Sequence, residues 1–190
     1  MTSFNSFQQA LDDITARSAG GAPFLFAYGI TFVCTAILSF FVSKSTAALV
    51  AMFQGSVALP LAFWLERQLR CQTASIKRPS NPLDALSAQL AMSQVLGLPA
   101  LIVANSLNPG AIPVLLSSLS GMHLFPYAWL HRTRVYLWLA IATSIGGFVL
   151  QLALGSSAFS YILLYVGVLY LAAAPIRNGL TFKIIRSIRS

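Results

Sequence analysis

The chain has 190 residues, 57% of them hydrophobic and only 8% charged, with a mean hydropathy of +0.76 and a formal net charge of +8. Soluble domains carry about 25% charged residues, so this composition excludes a soluble globule and points to an integral membrane protein. The surplus of cations does not point to nucleic acid: the basic residues sit in short stretches between apolar runs, where cytoplasmic loops facing anionic lipid account for them.

Residues 1–22 form a leader in which Phe4, Phe7, Leu11 and Ile14 recur at spacings of three or four, while Asp12, Asp13 and Arg17 fall on other faces. That pattern predicts an amphipathic helix lying on the cytoplasmic surface. The first apolar segment, 24–42, is uncharged and as a helix reaches about 28 Å, close to the hydrocarbon thickness of a bilayer. The second, 46–65, ends in Trp64 followed by Glu66 and Arg67, an aromatic ring and then charge, as at a membrane interface. A loop containing Arg70, Lys77 and Arg78, with prolines at 79 and 82, follows.

The third segment, 84–104, is the least hydrophobic, broken by Gln89, Ser93 and Gln94. Asn108, Pro109 and Gly110 then supply a capping side chain, a fixed φ and a free φ, which predicts a turn. The fourth segment, 111–130, leads to His131, Arg132 and Arg134; His131 is expected to meet lipid headgroups. The fifth, 135–154, carries Gly146 and Gly147 for close helix packing, and the sixth, 159–174, is expected to stop at Pro175. In the tail, 177–190, Leu180, Ile184 and Ile188 share a stripe beside Lys183, Arg186 and Arg189, which predicts a basic interfacial helix. The spacing of Gly55 and Pro60 recurs in Gly121 and Pro126, a pattern read mainly as the abundance of these residues in membrane helices, with helical-hairpin repeats as the alternative.

Sorted by flank, Arg17, Arg67, Arg70, Lys77, Arg78, Arg132, Arg134, Arg177, Lys183, Arg186 and Arg189 fall on one side of this ladder and Lys44 alone on the other. That asymmetry requires an even number of crossings with both termini cytoplasmic, and it supports the third segment as a span. The expected fold is an all-α integral membrane protein of a bacterial inner membrane, a bundle of six transmembrane helices with an interfacial amphipathic leader and a basic C-terminal tail.

Chemistry-bearing residues are sparse. The four acids are Asp12, Asp13, Glu66 and Asp84, none at a midplane position. Glu66 and Asp84, with Arg67 and Arg132, are candidates for a clamp or gate at the cytoplasmic mouth. At membrane depth the polar residues are neutral: Gln54, Gln94 and His123. They either line a cavity together or act as interhelical glue, each contact worth about 0.6–2 kcal/mol. Pro60, Pro99, Pro113 and Pro126 fall in the same three segments, so a cavity is expected among the second, third and fourth helices. Tyr161, Tyr165 and Tyr170 read mainly as bundle filler. No metalloprotease, nucleophile-elbow or phosphate-loop motif occurs, and Cys34 and Cys71 cannot anchor a metal site. The chain is therefore read as a non-enzyme without cofactor or metal. Its partners are the lipid bilayer, anionic headgroups at the basic loops and tail, a small-molecule solute, and a homo-oligomeric copy of itself. The leading expectation is a small permease-like or channel-like protein for a neutral or weakly polar solute; the alternative is a non-transporting scaffold or accessory protein.

Overall fold

A computed structural model describes the backbone of residues 7–71, 81 and 83–189; side chains are described over the same range except at 17, 19, 69–71 and from 176 onward. Among the described residues every element is helical. The elements are α1 (Phe7–Arg17), α2 (Ala22–Leu38), α3 (Lys44–Phe53), α4 (Gly55–Cys71), α5 (Leu83–Ser93), α6 (Leu98–Leu107), α7 (Ile112–Leu130), α8 (Arg134–Leu154) and α9 (Ala158–Arg189), with single 3-10 turns between several of them.

Local chemistry sets the helix starts. Ser43 accepts a hydrogen bond from the Thr46 amide at 3.2 Å to cap α3, and Thr133 accepts from Val135 at 3.3 Å to cap α8. Asn81 accepts from the Leu83 amide at 3.0 Å and begins α5. Each satisfies an amide that a helix N-terminus leaves without an intrahelical partner.

Four stretches are long and apolar enough to cross a membrane: Lys44–Gln68, Leu83–Leu107, Pro109–Leu130 and Arg134–Pro175. The last is a hairpin, because α8 ends at Leu154 and the chain reverses at Gly155, whose φ of 53° suits glycine alone. A further apolar helix, Ala22–Leu38, is 17 residues long.

Several boundaries differ from the sequence reading. The first apolar run stops at Leu38, four residues before the expected 42, and residues 39–43 form a turn. The second divides at Gln54 into α3 and α4, and the third divides at Val95–Gly97 into α5 and α6. The sixth does not stop at Pro175: α9 continues to Arg189. A proline removes one backbone hydrogen bond and kinks a helix, which a 32-residue helix absorbs without ending. The side chains of Arg70, Lys77, Arg78 and of the basic tail lie outside the described residues, as does Phe4.

Packing centres on two helix pairs, α2 with α9 and α7 with α8, which α8 against α9 joins into one core. Phe32, Ile162, Leu163 and Val166 are fully enclosed there. Gly147 allows the close approach of Ser117 on α7 and Ile162 on α9, the packing role its small size implied. The Leu83–Leu107 stretch lies at the edge, with only 6% of its apolar window buried. The paired Gly-Pro spacing does not translate into equivalent packing. Gly55 faces the Tyr28 hydroxyl, whereas Gly121 lies directly against Ala140 and Ser144 of α8.

The bundle has two distinct ends. At one, Lys44 donates to the Ser156 carbonyl at 2.8 Å, and the 109–111 turn packs on α3. At the other, α1 folds across α5, α9 and the end of α7. Its Ala10, Leu11 and Ile14 bury against Leu83 and Leu130. Asn81 donates to the Ala10 carbonyl at 2.7 Å and to Asp13 at 2.9 Å, and Arg132 pairs with Asp12 at 3.6 Å. The leader is thus packed onto the bundle, because its apolar stripe finds protein instead of lying free on lipid. Arg17, Arg67, Arg132 and Arg134 occur at this end and Lys44 at the opposite one.

Candidate functional site

A cavity of about 100 Å³, room for several water molecules or a small solute, opens in the half of the bundle nearest α1. The turn between α1 and α2 contributes Ser18 and Gly21, α2 contributes Phe24, Leu25 and Tyr28, and α5 contributes Ser87, Ala91 and, just past its end, Gln94. The wall is completed by Ser120, His123, Leu124 and Tyr127 of α7, by His131, and by Tyr136 and Tyr170 of α8 and α9. Among the described residues, no aspartate, glutamate, lysine or arginine lines it.

The backbone of the site is a stripe on α7. His123, Tyr127 and His131 are four residues apart, so they stack one turn above another on a single face. Tyr127 and His131 are parallel within 15° at 5.8 Å, Tyr127 meets the edge of His123 at 5.2 Å, and Tyr136 closes on His131 at 5.5 Å. Ser120, one turn deeper, lies beside the Tyr170 hydroxyl.

These residues divide by what their polar atoms do. Tyr136 donates to the Gly20 carbonyl at 2.6 Å, Tyr127 donates to the Ser87 carbonyl at 3.2 Å, and His131 Nδ1 meets the Thr15 hydroxyl at 3.2 Å. All three tie helices together. Gln94 and His123 make no hydrogen bond to any described residue, and His123 Nδ1 is buried without a partner. Burying a polar atom unpaired costs free energy, so such atoms mark places where water or a ligand completes the pairing.

The expected trio is therefore split. Gln94 and His123 face the same cavity; Gln54 does not line it. Gln54 is buried at the break between α3 and α4, and its Oε1 has no partner there. The next residue, Gly55, is the one turned toward Tyr28, and one residue along a helix rotates the side chain by about 100°. The proposed gate residues are likewise dispersed. Arg132 pairs with Asp12 in place of Glu66 or Asp84; Glu66 is buried at the end of α4; Arg67 and Asp84 are exposed. His131 is not a headgroup contact but is buried behind α1. The cavity is also wider than the three proline-bearing segments: the second span gives it only Leu59, and Tyr28, Tyr136 and Tyr170 come from the other helices. The His123, Tyr127, His131 spacing was the available signal for the α7 side of this wall.

Over its described residues the chain is all-helical, with four stretches long and apolar enough to cross a membrane around an aromatic cavity. More specifically, it belongs to the family of unknown function DUF7010, which matches residues 7–176. No curated protein and no solved structure matches the chain.

Proposed function

We propose that this protein is a six-span, permease-like or channel-like protein of a bacterial inner membrane, with both termini cytoplasmic, that takes up a small neutral or weakly polar solute in the cavity between α5 and α7. The observation that carries this reading is the pair Gln94 and His123, which share the cavity while neither bonds to a described residue. Helix glue makes interhelical bonds, as Tyr127 and Tyr136 do here; Gln94 offers a donor and an acceptor and His123 one of each when neutral, none of them spent on a described residue. The described lining is neutral, which favours an uncharged solute, since an ion in this surrounding would lose its hydration without compensation.

In this reading the six spans are α2, α3 with α4, α5 with α6, α7, α8 and α9, and the concentration of arginines at the α1 end supports a cytosolic assignment of that end. The docked leader and the Ser18–Gly21 turn then cover the cytoplasmic side of the cavity, and opening would require α1 to swing away from Leu83 and Leu130. The scaffold reading draws its support from Tyr127, Tyr136 and His131, whose bonds are structural. Stopped-flow swelling of proteoliposomes with glycerol, urea and acetamide separates the two. A transporter accelerates entry of at least one solute over protein-free vesicles and loses it in Gln94→Leu or His123→Leu; a scaffold leaves all rates at the protein-free level.

A further inference from the structure

A second feature lies outside the cavity, where α1 meets the turn between α7 and α8. An open groove there is rimmed by Phe7, Leu11, Trp129, Arg132, Thr133 and Arg134. Phe7 packs on Trp129 with ring centres 5.9 Å apart. Arg132 is the one non-glycine residue among those described with a positive φ, 48°. It closes α7 in the position that glycine ordinarily takes: its amide donates to the Trp129 carbonyl at 3.1 Å and the next amide, Thr133, to Ala128 at 2.9 Å. A long cation is held where the backbone prefers no side chain. Arg134 is equally misplaced for stability, since it opens α8, where the helix dipole favours an anion over a cation.

Two guanidinium groups thus flank the groove against a single carboxylate, Asp12, which pairs with Arg132 at 3.6 Å with both side chains about half exposed. Among the described residues Arg134 has no carboxylate within salt-bridge reach. An anion between them would neutralise the surplus and satisfy the start of α8 at once. The groove continues into an apolar track. Phe125 lies one turn deeper than Trp129 on the same stripe of α7, and Ile141 one turn deeper than Leu137 on α8, and they are 59% and 43% exposed.

We propose that this groove binds one anionic phospholipid, its phosphate held by Arg132 and Arg134 and an acyl chain laid along Phe125 and Ile141. The site rests on this end of the bundle lying at a membrane surface and is independent of whether any solute crosses. The anchored lipid would hold α1 against the bundle through the Arg132 to Asp12 pair. The apolar track is what selects a lipid over free phosphate, which has nothing to place there.

Native mass spectrometry of the full chain in detergent, titrated with phosphatidylglycerol, phosphatidylcholine or inorganic phosphate, tests this. Wild type retains one phosphatidylglycerol in preference to phosphatidylcholine. Arg132→Gly and Arg134→Gln each weaken retention about fivefold, taking roughly 1 kcal/mol per basic residue near an anionic surface. Lys44→Gln, which removes the same charge at the opposite end, leaves retention unchanged. Arg132→Gly relieves the backbone, so its melting temperature without lipid holds or rises and a loss of lipid cannot be ascribed to misfolding. The proposal is overturned if the arginine variants bind like wild type, if Lys44→Gln weakens binding equally, or if inorganic phosphate displaces the lipid.

Discussion

The Thr15 hydroxyl and His131 Nδ1 lie 3.2 Å apart across 116 residues of sequence, joining the leader helix to the end of α7 in a buried contact. The single hydroxyl proton of Thr15 is spent on the Leu11 carbonyl at 3.0 Å, so the hydroxyl accepts from His131 and the imidazole carries its proton on Nδ1. Replacing Thr15 by Val leaves that N–H buried and unpaired, at a cost of about 1–3 kcal/mol. Unfolding of the purified protein in detergent should show the loss, and Thr15→Ser should restore most of it. A variant as stable as wild type would mean that α1 is not held through this contact.

The lining residues should separate by stability as well as by flux. Tyr136→Phe removes the bond to Gly20 and should lower stability by about 1 kcal/mol. Gln94→Leu and His123→Leu remove polar atoms that bond to no described residue, so their unfolding midpoints should hold or rise. Lowered midpoints for both would show that they pair within the protein and would favour the scaffold.

Gly29 and Gly167 bring α2 and α9 into near backbone contact. A Cβ on Gly167 would stand 2.9 Å from the Gly29 carbonyl oxygen and 2.9 Å from the Val33 amide nitrogen, and backbone on the facing helix cannot move aside as a side chain can. Gly167→Ala should therefore cost about 1–3 kcal/mol by overpacking, and Gly29→Ala should act similarly. The readout is the same detergent unfolding assay, with Gly155→Ala as a comparison for strain at a turn that lacks close neighbours.

Topology follows from the two ends of the bundle. In a background without Cys34 and Cys71, cysteine at Ser156 should react with an impermeant maleimide in intact cells, whereas cysteine at Arg134 should react only after lysis. A reporter fused after Ser190 should be active only as a cytoplasmic type. The reverse pattern would invert the assignment of the α1 end to the cytosol.

The sequence reached the architecture further than the site. Asn108 followed by Pro109 and Gly110 marked a real turn, and Trp129 followed by basic residues marked a real helix end, because capping and interfacial preferences act over a few neighbouring residues. Gln94 and His123 could be named because polar side chains are rare at that depth. Tyr28 could not, since it sits in a run that is apolar on both sides; Tyr136 sits at the start of one, and Tyr170 read mainly as filler.

What the chain alone determined is the all-helical class, the order of apolar helices and the separation of Lys44 from Arg67, Arg132 and Arg134, all of which follow from transfer energy and charge summed along the sequence. The tertiary structure decided which way each helix is turned about its own axis. An apolar helix in lipid has little amphipathic pattern to fix its rotation, so only packing, such as Gly29 on Gly167 and α1 on Leu130, brings Gln94 and His123 to one cavity and turns Gln54 away from it.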